Sequence, residues 1–379
     1  MKFFQFFNLF HYNDYHTKLK SKINPSAVCA ALFIAIPLLL TAAIFVKPDL
    51  PVSVNENRPL RTKSEITFSI FDGGFQNDLE NYLSDQFPMR DRIKGAEAGM
   101  KLRLGSGSIG GAYVGSGGRL FQKLPESSVD SAKCVRYAAR VNRIAETTGI
   151  ETYVMYVPSA GISLKGSMPF GAPMYDYDAL YHALEGELKS VHMIHLRRAL
   201  AEQPEYYYAT DHHWTAAGAA AAYLEWRMAH GEEIAGGDIP ELFTVSQSFR
   251  GTLWSRVPSE SIGYEKMQAP AVKTQVTVEA DGREISLYDH SALATKDKYN
   301  FFEGGNHGIL TVTNPSAESG RTLLILKDSF ANSFLPYIVG DYAKIIMVDE
   351  RYAFIDAGQL AADSGADEIA VIREIISVG

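Results

Sequence analysis

The chain has 379 residues, of which 46% are hydrophobic, so it is long and apolar enough to form a packed core. Its 36 Lys and Arg residues are outnumbered by 44 Asp and Glu residues, which gives a formal net charge of -8. This composition excludes intrinsic disorder as the main state. It also offers no basic surface for a phosphate backbone, so we expect no nucleic-acid partner.

An apolar segment lies close to the N-terminus. Residues 23–46 carry no charged side chain, and about 20 such residues span a bilayer core. The basic residues just before this segment outnumber those just after it, a bias typical of a cytoplasmic N-terminus: Lys18, Lys20 and Lys22 against Lys47. We expect a cytoplasmic tail at 1–22, a single-pass cell-membrane anchor at 23–46 and an extracytoplasmic domain after it. A cleaved signal peptide is the alternative.

The chain has two cysteines, Cys29 within the apolar segment and Cys134 far from it. Two such distant cysteines exclude a disulfide framework and a cysteine-ligated zinc cluster. The domain must therefore be stabilised by its core, and no cofactor is expected.

Residues 47–105 are predicted to form a stalk and an amphipathic helical segment. The first part, residues 47–70, is mostly polar and contains proline. The helix that follows is predicted from apolar side chains at positions i, i+4, i+7 and i+8: Phe75, Leu79, Tyr82 and Leu83. We expect this segment to pack against the domain that follows it.

Helical and strand patterns alternate through much of residues 106–379, which we interpret as the main domain of the chain. Strands are predicted at ETYVMYVP, VHMIHL, RTLLILK, AKIIMVD and EIAVI, with helical patterns between them. This alternation indicates an α/β fold with a doubly wound, mostly parallel sheet. Residues 236–310 instead show short alternating strands, including a hairpin that turns at Asp281-Gly282, and are interpreted as a β-rich insertion.

Ser329 follows one predicted strand and opens a predicted helix. Ligands of open α/β sheets bind at the carboxyl ends of the strands, and the amides of a helix N-terminus can stabilise an oxyanion there. The structural alternative is that Asp328 or Ser329 only caps the helix. The G-x-S-x-G elbow of the α/β-hydrolases is absent.

Asp211 and His213 lie in a loop before an alanine-rich helix, which Thr215 is predicted to cap. An extended Asp-x-His sequence places both side chains on one face. Asp211 can then orient His213 while the second imidazole nitrogen reaches a nucleophile. Two alternatives are a structural hydrogen bond and a metal site, whose possible ligands are Asp211, His212, His213, His290 and His307.

A family resemblance adds to this pattern. The TDHHWT block, followed by LKDSFANSFLPY and VDERY, resembles the bacterial DHHW protein family. That family is similar to the alginate O-acetyltransferases, whose catalytic domains are circularly permuted SGNH (GDSL-like) hydrolases. The similarity extends from near residue 70 to residue 374 and includes DQFPMRD, GAYVGSGGRLF, VMYVP, FRGTLWS and FFEGGNHG.

The resemblance implies a catalytic triad of Ser329 as nucleophile, His213 as general base and Asp211 as its orienting residue. The order Asp, His, Ser agrees with a permuted domain, because an ordinary SGNH hydrolase has its serine first. The chain departs from the GDSL pattern at Lys327, where those enzymes have glycine. The Gly and Asn oxyanion donors of those enzymes have no clear counterpart in this sequence.

Candidates for oxyanion or substrate contacts follow from topology. Asp349, Arg351 and Tyr352 come after AKIIMV, a strand that should end at the same sheet edge as the strand of Ser329. Arg351 could bind a sugar or supply an N–H group, or it could simply pair with Asp349 or Glu350. The remaining candidates are Asn306, Trp214 and His212.

The resemblance and the anchor together predict an extracytoplasmic O-acetyltransferase that modifies a cell-surface or secreted polysaccharide through an acyl-serine. A membrane-bound O-acyltransferase is the expected partner that supplies the acyl donor. One alternative is an SGNH-type carbohydrate esterase. The other is a noncatalytic polysaccharide-binding or assembly protein.

Overall fold

The computed structural model describes residues 24–67, 73–233 and 239–377. The predicted cytoplasmic tail, which includes Lys18, Lys20 and Lys22, therefore lies outside the described residues. Contacts divide the chain into two units, one of residues 1–51 and 60–90 and the other of residues 52–59 and 91–379.

The first unit contains a long apolar helix, α1 (Pro25–Val46). Asn24 caps this helix by accepting a hydrogen bond from the Ser26 N–H at 3.1 Å, and Pro37 lies within it. Its 22 residues extend about 33 Å, and nearly all of its side chains are exposed. The helix is thus long and apolar enough to be a membrane anchor, and a signal sequence would meet the same criterion.

The amphipathic helix predicted after the stalk is confirmed as α2 (Gly74–Asp85). Tyr82 on this helix is fully buried and donates a hydrogen bond to Asp49 Oδ1 at 3.1 Å. Just beyond the helix, the Gln86 side chain accepts from the Leu50 N–H and donates to the Leu50 carbonyl, both at 2.9 Å. The helix therefore packs, within this unit, against the segment that follows α1.

Nine further α-helices and fifteen strands lie elsewhere in the described part of the chain. The helices are α3 (Arg90–Arg103), α4 (Ser131–Thr148), α5 (Ala160–Ser163), α6 (Tyr177–Glu187), α7 (Leu196–Leu200), α8 (Ala216–Ala229), α9 (Thr252–Arg256), α10 (Phe330–Ile338) and α11 (Ala357–Ser364). The strands are β1 (Val52–Ser53), β2 (Arg58–Pro59), β3 (Ser108–Ile109), β4 (Ala112–Val114), β5 (Leu120–Gln122), β6 (Glu151–Val157), β7 (His192–Ile194), β8 (Leu242–Phe249), β9 (Glu265–Pro270), β10 (Thr277–Ala280), β11 (Arg283–Ile285), β12 (Ile309–Thr313), β13 (Thr322–Lys327), β14 (Lys344–Val348) and β15 (Glu368–Glu374).

A large sheet forms the centre of the second unit. Its eight strands lie in the order β11-β10-β12-β14-β13-β15-β6-β7. The strands from β14 to β7 in this order are parallel to one another, whereas β12, β10 and β11 continue the sheet in antiparallel pairs. The fold is therefore mixed α/β with a mostly parallel central sheet, as the alternation of helical and strand patterns predicted.

Helices cover both faces of this sheet. Successive side chains of a strand point to opposite faces, so each strand contributes side chains to both helical layers. Val154 and Leu324 pack with α4, α6 and α11 on one face, and Met155 and Ile325 pack with α7, α8 and α10 on the other. Every residue of α10 is buried. The core therefore holds β13, its following turn and α10 as one rigid element.

The segment predicted as a β-rich insertion separates into two parts. β8 and β9 pair as a two-stranded sheet of their own, whereas β10, β11 and β12 extend the central sheet. The predicted hairpin turn is confirmed, since Asp281 and Gly282 join β10 to β11 with φ of 49° and 78°, the positive values of a type I′ turn. Because Ile309 pairs with Val348, the residues before β12 lie at the same sheet edge as the residues after β14.

The opposite edge of the sheet holds a buried polar cluster around Glu368, at the start of β15. Glu368 is fully buried and accepts hydrogen bonds from the Tyr342 hydroxyl, from Arg321 and from His230 Nε2, the last at 2.8 Å. Burial acts to lower the pKa of His230, but its hydrogen bonds to Glu368 and to the Trp226 carbonyl outweigh burial and raise the pKa overall. The folded state therefore favours protonated His230.

We predict that His230→Gln lowers the free energy of unfolding more at about pH 5.5 than at about pH 9. A raised folded-state pKa stabilises the protein fully below the unfolded-state pKa of about 6.5, and this stabilisation is lost as the pH rises through the folded-state value. Denaturant unfolding of full-length wild type and variant in detergent at both pH values measures the effect. The exposed change His182→Gln is the control, and an equal loss for His230→Gln at both pH values would contradict the prediction.

Candidate active site

The loop that carries Asp211 and His213 is fixed at both ends. Tyr207 and Trp214 form an antiparallel bridge across it, and Thr215 caps α8 as predicted, accepting from the Gly218 N–H at 3.3 Å. Trp214 is fully buried, and its Nε1 donates to the Phe330 carbonyl at 3.0 Å. Trp214, which the sequence suggested as a substrate contact, therefore joins this loop to the first turn of α10.

Ser329 occupies the turn between β13 and α10. Asp328 Oδ1 accepts from the Phe330 N–H at 2.9 Å, and its Oδ2 accepts from the Glu374 N–H at 2.8 Å. Among the described residues, the Ser329 side chain makes no capping hydrogen bond. Asp328 thus binds the free amide at the start of the helix and ties the turn to β15, which leaves the Ser329 hydroxyl available for another partner.

The structure brings the three residues of the predicted triad together. His213 Nε2 lies 2.7 Å from Ser329 Oγ, and His213 Nδ1 lies 2.5 Å from Asp211 Oδ1. Asp211 and His213 are 1% and 5% exposed, whereas Ser329 is partly exposed. Both ring nitrogens of His213 are therefore engaged, one by the carboxylate and one by the hydroxyl, and the hydroxyl is the member of the set that solvent reaches most easily.

Asp211 is held by four hydrogen bonds. Besides the His213 ring, it accepts from the His213 N–H at 3.0 Å, the Thr252 N–H at 2.7 Å and the Thr252 hydroxyl at 3.0 Å. Burial by itself raises the pKa of Asp211, but His213, His212 and the Thr252 amide hold it well below its usual range. The carboxylate is therefore ionised and fixed in orientation.

Gly251 packs directly against this carboxylate. A Cβ atom at Gly251 would overlap both Asp211 Oδ2 and Asp211 Cβ. Its φ of -89° is available to any residue, so space and not backbone conformation requires glycine at this position. The FRGTLWS motif contains Gly251 and Thr252, but the sequence alone did not reveal that either residue contacts Asp211.

Tyr299 supports the other two members of the triad. Its ring stacks on the His213 ring with centroids 3.9 Å apart and planes inclined by 7°. Its hydroxyl lies within hydrogen-bond distance of the Ser329 carbonyl, at 3.2 Å, and of Ser333 Oγ, at 3.0 Å. No sequence pattern identified Tyr299, because its 3-10 turn lies far from both partners in the chain.

The neighbouring His212 has a different environment. Its Nδ1 lies 2.9 Å from Thr252 Oγ1, and its ring contacts the His213 ring with centroids 3.8 Å apart. Burial, together with the nearby His213, lowers the pKa of His212 to about 3, so this imidazole is neutral near pH 7. Because the Thr252 hydroxyl also donates to Asp211, His212 is joined to the carboxylate of the triad through Thr252.

The alternative metal site would use the same residues. Asp211, His212 and His213 offer ligand atoms within 4.8 Å of one another, and they form the one such group found in the described residues. A metal ion on His213 would have to replace its hydrogen bond to Asp211 or to Ser329. His307 instead lies beside the Glu303 carbonyl, and His290 packs edge-on against Phe301. The arrangement therefore suits proton transfer better than metal ligation.

Two of the candidates after β14, Asp349 and Arg351, form an ion pair. Arg351 Nε and Nη2 donate to Asp349 at 2.8 and 2.5 Å, and these bonds raise the pKa of Arg351. Asp349 is fully buried, whereas Arg351 and Tyr352 are exposed. Of the roles considered for Arg351, the structure shows the ion pair with Asp349. One edge of its guanidinium is occupied by that pair.

Asn306 lies on the loop before β12, at the same sheet edge as the turn after β13. Three consecutive residues before it adopt positive φ, namely Glu303 at 53°, Gly304 at 75° and Gly305 at 113°. Asn306 Oδ1 accepts from Lys327 Nζ at 3.3 Å and from Asn332 Nδ2 at 3.4 Å. This left-handed stretch, which is costly for a non-glycine residue, holds the Asn306 side chain against residues on both sides of Ser329.

Comparisons with known proteins agree with this architecture. The model of the DHHW protein family matches residues 163–348, which confirms the family resemblance of the sequence motifs. A comparison with curated proteins gave no match.

Three solved structures match this chain. A DHHW family protein from Eubacterium siraeum superposes with a TM-score of 0.60 at 21% identity, over 72% of this chain and 93% of that one. Bacillus cereus PatB1 with a sulfonyl adduct superposes with a TM-score of 0.56 at 18% identity, over 68% of this chain and 93% of that one. The O-acetyltransferase domain of Pseudomonas putida AlgJ superposes with a TM-score of 0.42 at 14% identity, over 70% of this chain and 91% of that one. The first two likenesses establish a shared fold.

We predict that Gly251→Ala slows the reaction of Ser329 with phenylmethylsulfonyl fluoride and destabilises the protein by about 1–3 kcal/mol, because the new methyl group must displace Asp211. Labelling rates followed by mass spectrometry, with thermal unfolding in parallel, measure both effects. Gly263→Ala is the matched control, since Gly263 has open space around it and no positive φ. Equal labelling rates for the two variants would show that Asp211 does not need its present position.

Proposed function

We propose that this chain, which matches the DHHW family over residues 163–348, is an O-acetyltransferase that modifies a cell-surface or secreted polysaccharide through an acyl-serine. The observation that carries the proposal is the position of His213, within hydrogen-bond distance of both Asp211 and Ser329. A serine beside a general base that a carboxylate orients is the arrangement needed for acyl transfer.

In the first step of the proposed reaction, Ser329 Oγ attacks the acyl carbon of the donor while His213 Nε2 accepts the hydroxyl proton. The bond to the leaving group breaks, and the leaving group takes that proton. In the second step, His213 Nε2 accepts the proton of a sugar hydroxyl, whose oxygen bonds to the acyl carbon. The bond to Ser329 Oγ then breaks as the proton returns to Oγ.

The role of Asp211 follows from its environment. Its lowered pKa keeps it ionised throughout this cycle, so it holds the proton on His213 Nδ1 and leaves Nε2 as the basic nitrogen. The stacked Tyr299 ring restrains the imidazole plane. Both contacts hold the His213 ring in place, so that its charge changes during the reaction while its position does not.

Two groups are suitable oxyanion donors. In the described part of the chain, the Ser329 N–H has no acceptor, and neither does Asn306 Nδ2. Both lie at the carboxyl edge of the sheet, on the turn after β13 and on the loop before β12. We therefore assign the oxyanion site to these two groups, and we assign Arg351 to the support of Asp349.

Attachment to a membrane favours transfer to a surface polymer. Helix α1 suits an anchor that holds the catalytic unit on the extracytoplasmic side, where acetyl groups must arrive through the membrane. This requirement motivates a membrane-bound O-acyltransferase as the source of the donor. The resemblance to alginate O-acetyltransferases also favours a sugar acceptor over water.

The nucleophile assignment predicts that phenylmethylsulfonyl fluoride labels the full-length protein once, at Ser329, and that Ser329→Ala abolishes both labelling and acetyl transfer. Ser159→Ala is the matched control, because Ser159 is also a serine that follows a parallel strand, and its hydroxyl is paired with Tyr175 at 3.0 Å. Peptide mass spectrometry locates the label. Full labelling of Ser329→Ala would refute the assignment.

The acceptor is tested by the release of p-nitrophenol from p-nitrophenyl acetate in the presence of an oligosaccharide panel that includes mannuronate oligomers. A transferase should release p-nitrophenol faster with acceptor present and should yield acetylated oligosaccharide by mass spectrometry. If the rate of p-nitrophenol release does not depend on the acceptor and acetate is the only acetyl product, the protein is an esterase. Glycan binding without release or labelling would identify the noncatalytic alternative.

A further inference from the structure

Lys327 is a buried lysine two residues before Ser329, at the position where GDSL enzymes have glycine. Its Nζ donates to Asn332 Oδ1 at 2.7 Å and to Asn306 Oδ1 at 3.3 Å, and it lies 3.8 Å from Asp349 Oδ2. Lys327 therefore contacts side chains on both sides of the turn that carries Ser329.

An ammonium group can only donate hydrogen bonds, and this fixes which end of each amide it contacts. The oxygens of Asn306 and Asn332 must both point toward Lys327. Asn332 Nδ2 is then directed to Asn306 Oδ1 at 3.4 Å and to the Gly305 carbonyl at 3.3 Å. With two donors on its oxygen, Asn306 is left with Nδ2 as its unoccupied end.

We propose that Lys327 is a positioning residue that sets the orientation of the Asn306 amide and so directs its Nδ2 group toward the developing oxyanion at Ser329. This inference rests on the proposed acyl transfer. A rotated Asn306 amide would present its oxygen to the oxyanion, and the donor would be replaced by a repulsive contact. Lys327 acts through Asn306 and does not itself contact the reacting atoms.

The surroundings of Lys327 explain how a buried cation is retained. Burial lowers its pKa, and Asp349 and Glu303 act in the opposite direction. Asp349 is in turn held by two hydrogen bonds from the Arg351 guanidinium and one from the Arg351 N–H. The ion pair at the end of β14 thus fixes the lysine, and the lysine fixes the amides.

The test is a double-mutant cycle with full-length protein in detergent, in which kcat and KM are measured for p-nitrophenyl acetate with Lys327→Met, Asn306→Ala and the double variant. Loss of one oxyanion donor lowers kcat by roughly 10²–10³-fold, so we expect about that loss for Asn306→Ala and at least about tenfold for Lys327→Met, both with KM little changed. In the Asn306→Ala background, Lys327→Met should add almost no further loss.

Asn314→Ala is the control for simple destabilisation. Asn314 is a buried amide whose Nδ2 donates to the Val339 carbonyl at 2.9 Å, next to the opposite end of β12. It should lower the melting temperature without lowering kcat. If Lys327→Met does not fold, Lys327→Gln replaces it, because a neutral amide can both donate and accept. Wild-type kcat for Lys327→Gln would overturn the inference.

The outcomes separate this inference from the proposed function. A wild-type protein that neither releases p-nitrophenol nor is labelled at Ser329 refutes both. If the wild type is active and the losses from Lys327→Met and Asn306→Ala multiply independently, only the role of Lys327 is refuted. The role of Lys327 is supported if each single variant lowers kcat and the double variant loses little more than Asn306→Ala alone.

Discussion

The hydrogen bond between His213 Nε2 and Ser329 Oγ joins segments that are 116 residues apart in the chain, and the geometry of the site depends on it. Both partners are held by the same helix. Ser329 opens α10 directly, and the loop of His213 reaches α10 through Trp214, whose Nε1 binds the Phe330 carbonyl and Ser333 Oγ. Because α10 is buried along its length, a shift of either segment would have to disturb the core.

Three buried carboxylates near the serine have different structural tasks. Asp211 binds His213 and Thr252, Asp328 binds two backbone amides, and Asp349 binds Arg351. A buried charge is tolerated only when it is paired or fully hydrogen-bonded. Each of these carboxylates is therefore held by its own partners, and in the described part of the chain the Ser329 hydroxyl is engaged by His213 alone.

The departure from the GDSL pattern acquires a physical meaning in this setting. A glycine before the Asp-Ser pair would leave a space beneath the turn, whereas Lys327 fills it and connects β13 to the loop before β12. That loop belongs to the segment that appeared from the sequence to be an insertion. Its strands β10, β11 and β12 instead widen the central sheet and bring Asn306 to the edge where Ser329 lies.

The sequence by itself determined what depends on near neighbours: the apolar helix α1, the Thr215 cap, the Asp281-Gly282 turn, the alternation that predicts a parallel sheet, and the Asp-x-His spacing. Only the tertiary structure decided which distant residues meet. Tyr299 and Gly251 reach the triad, and Asn306 reaches Lys327, through strand order and loop packing. Such contacts leave no local period in the chain, because the partners of each residue are set by where whole strands and helices pack.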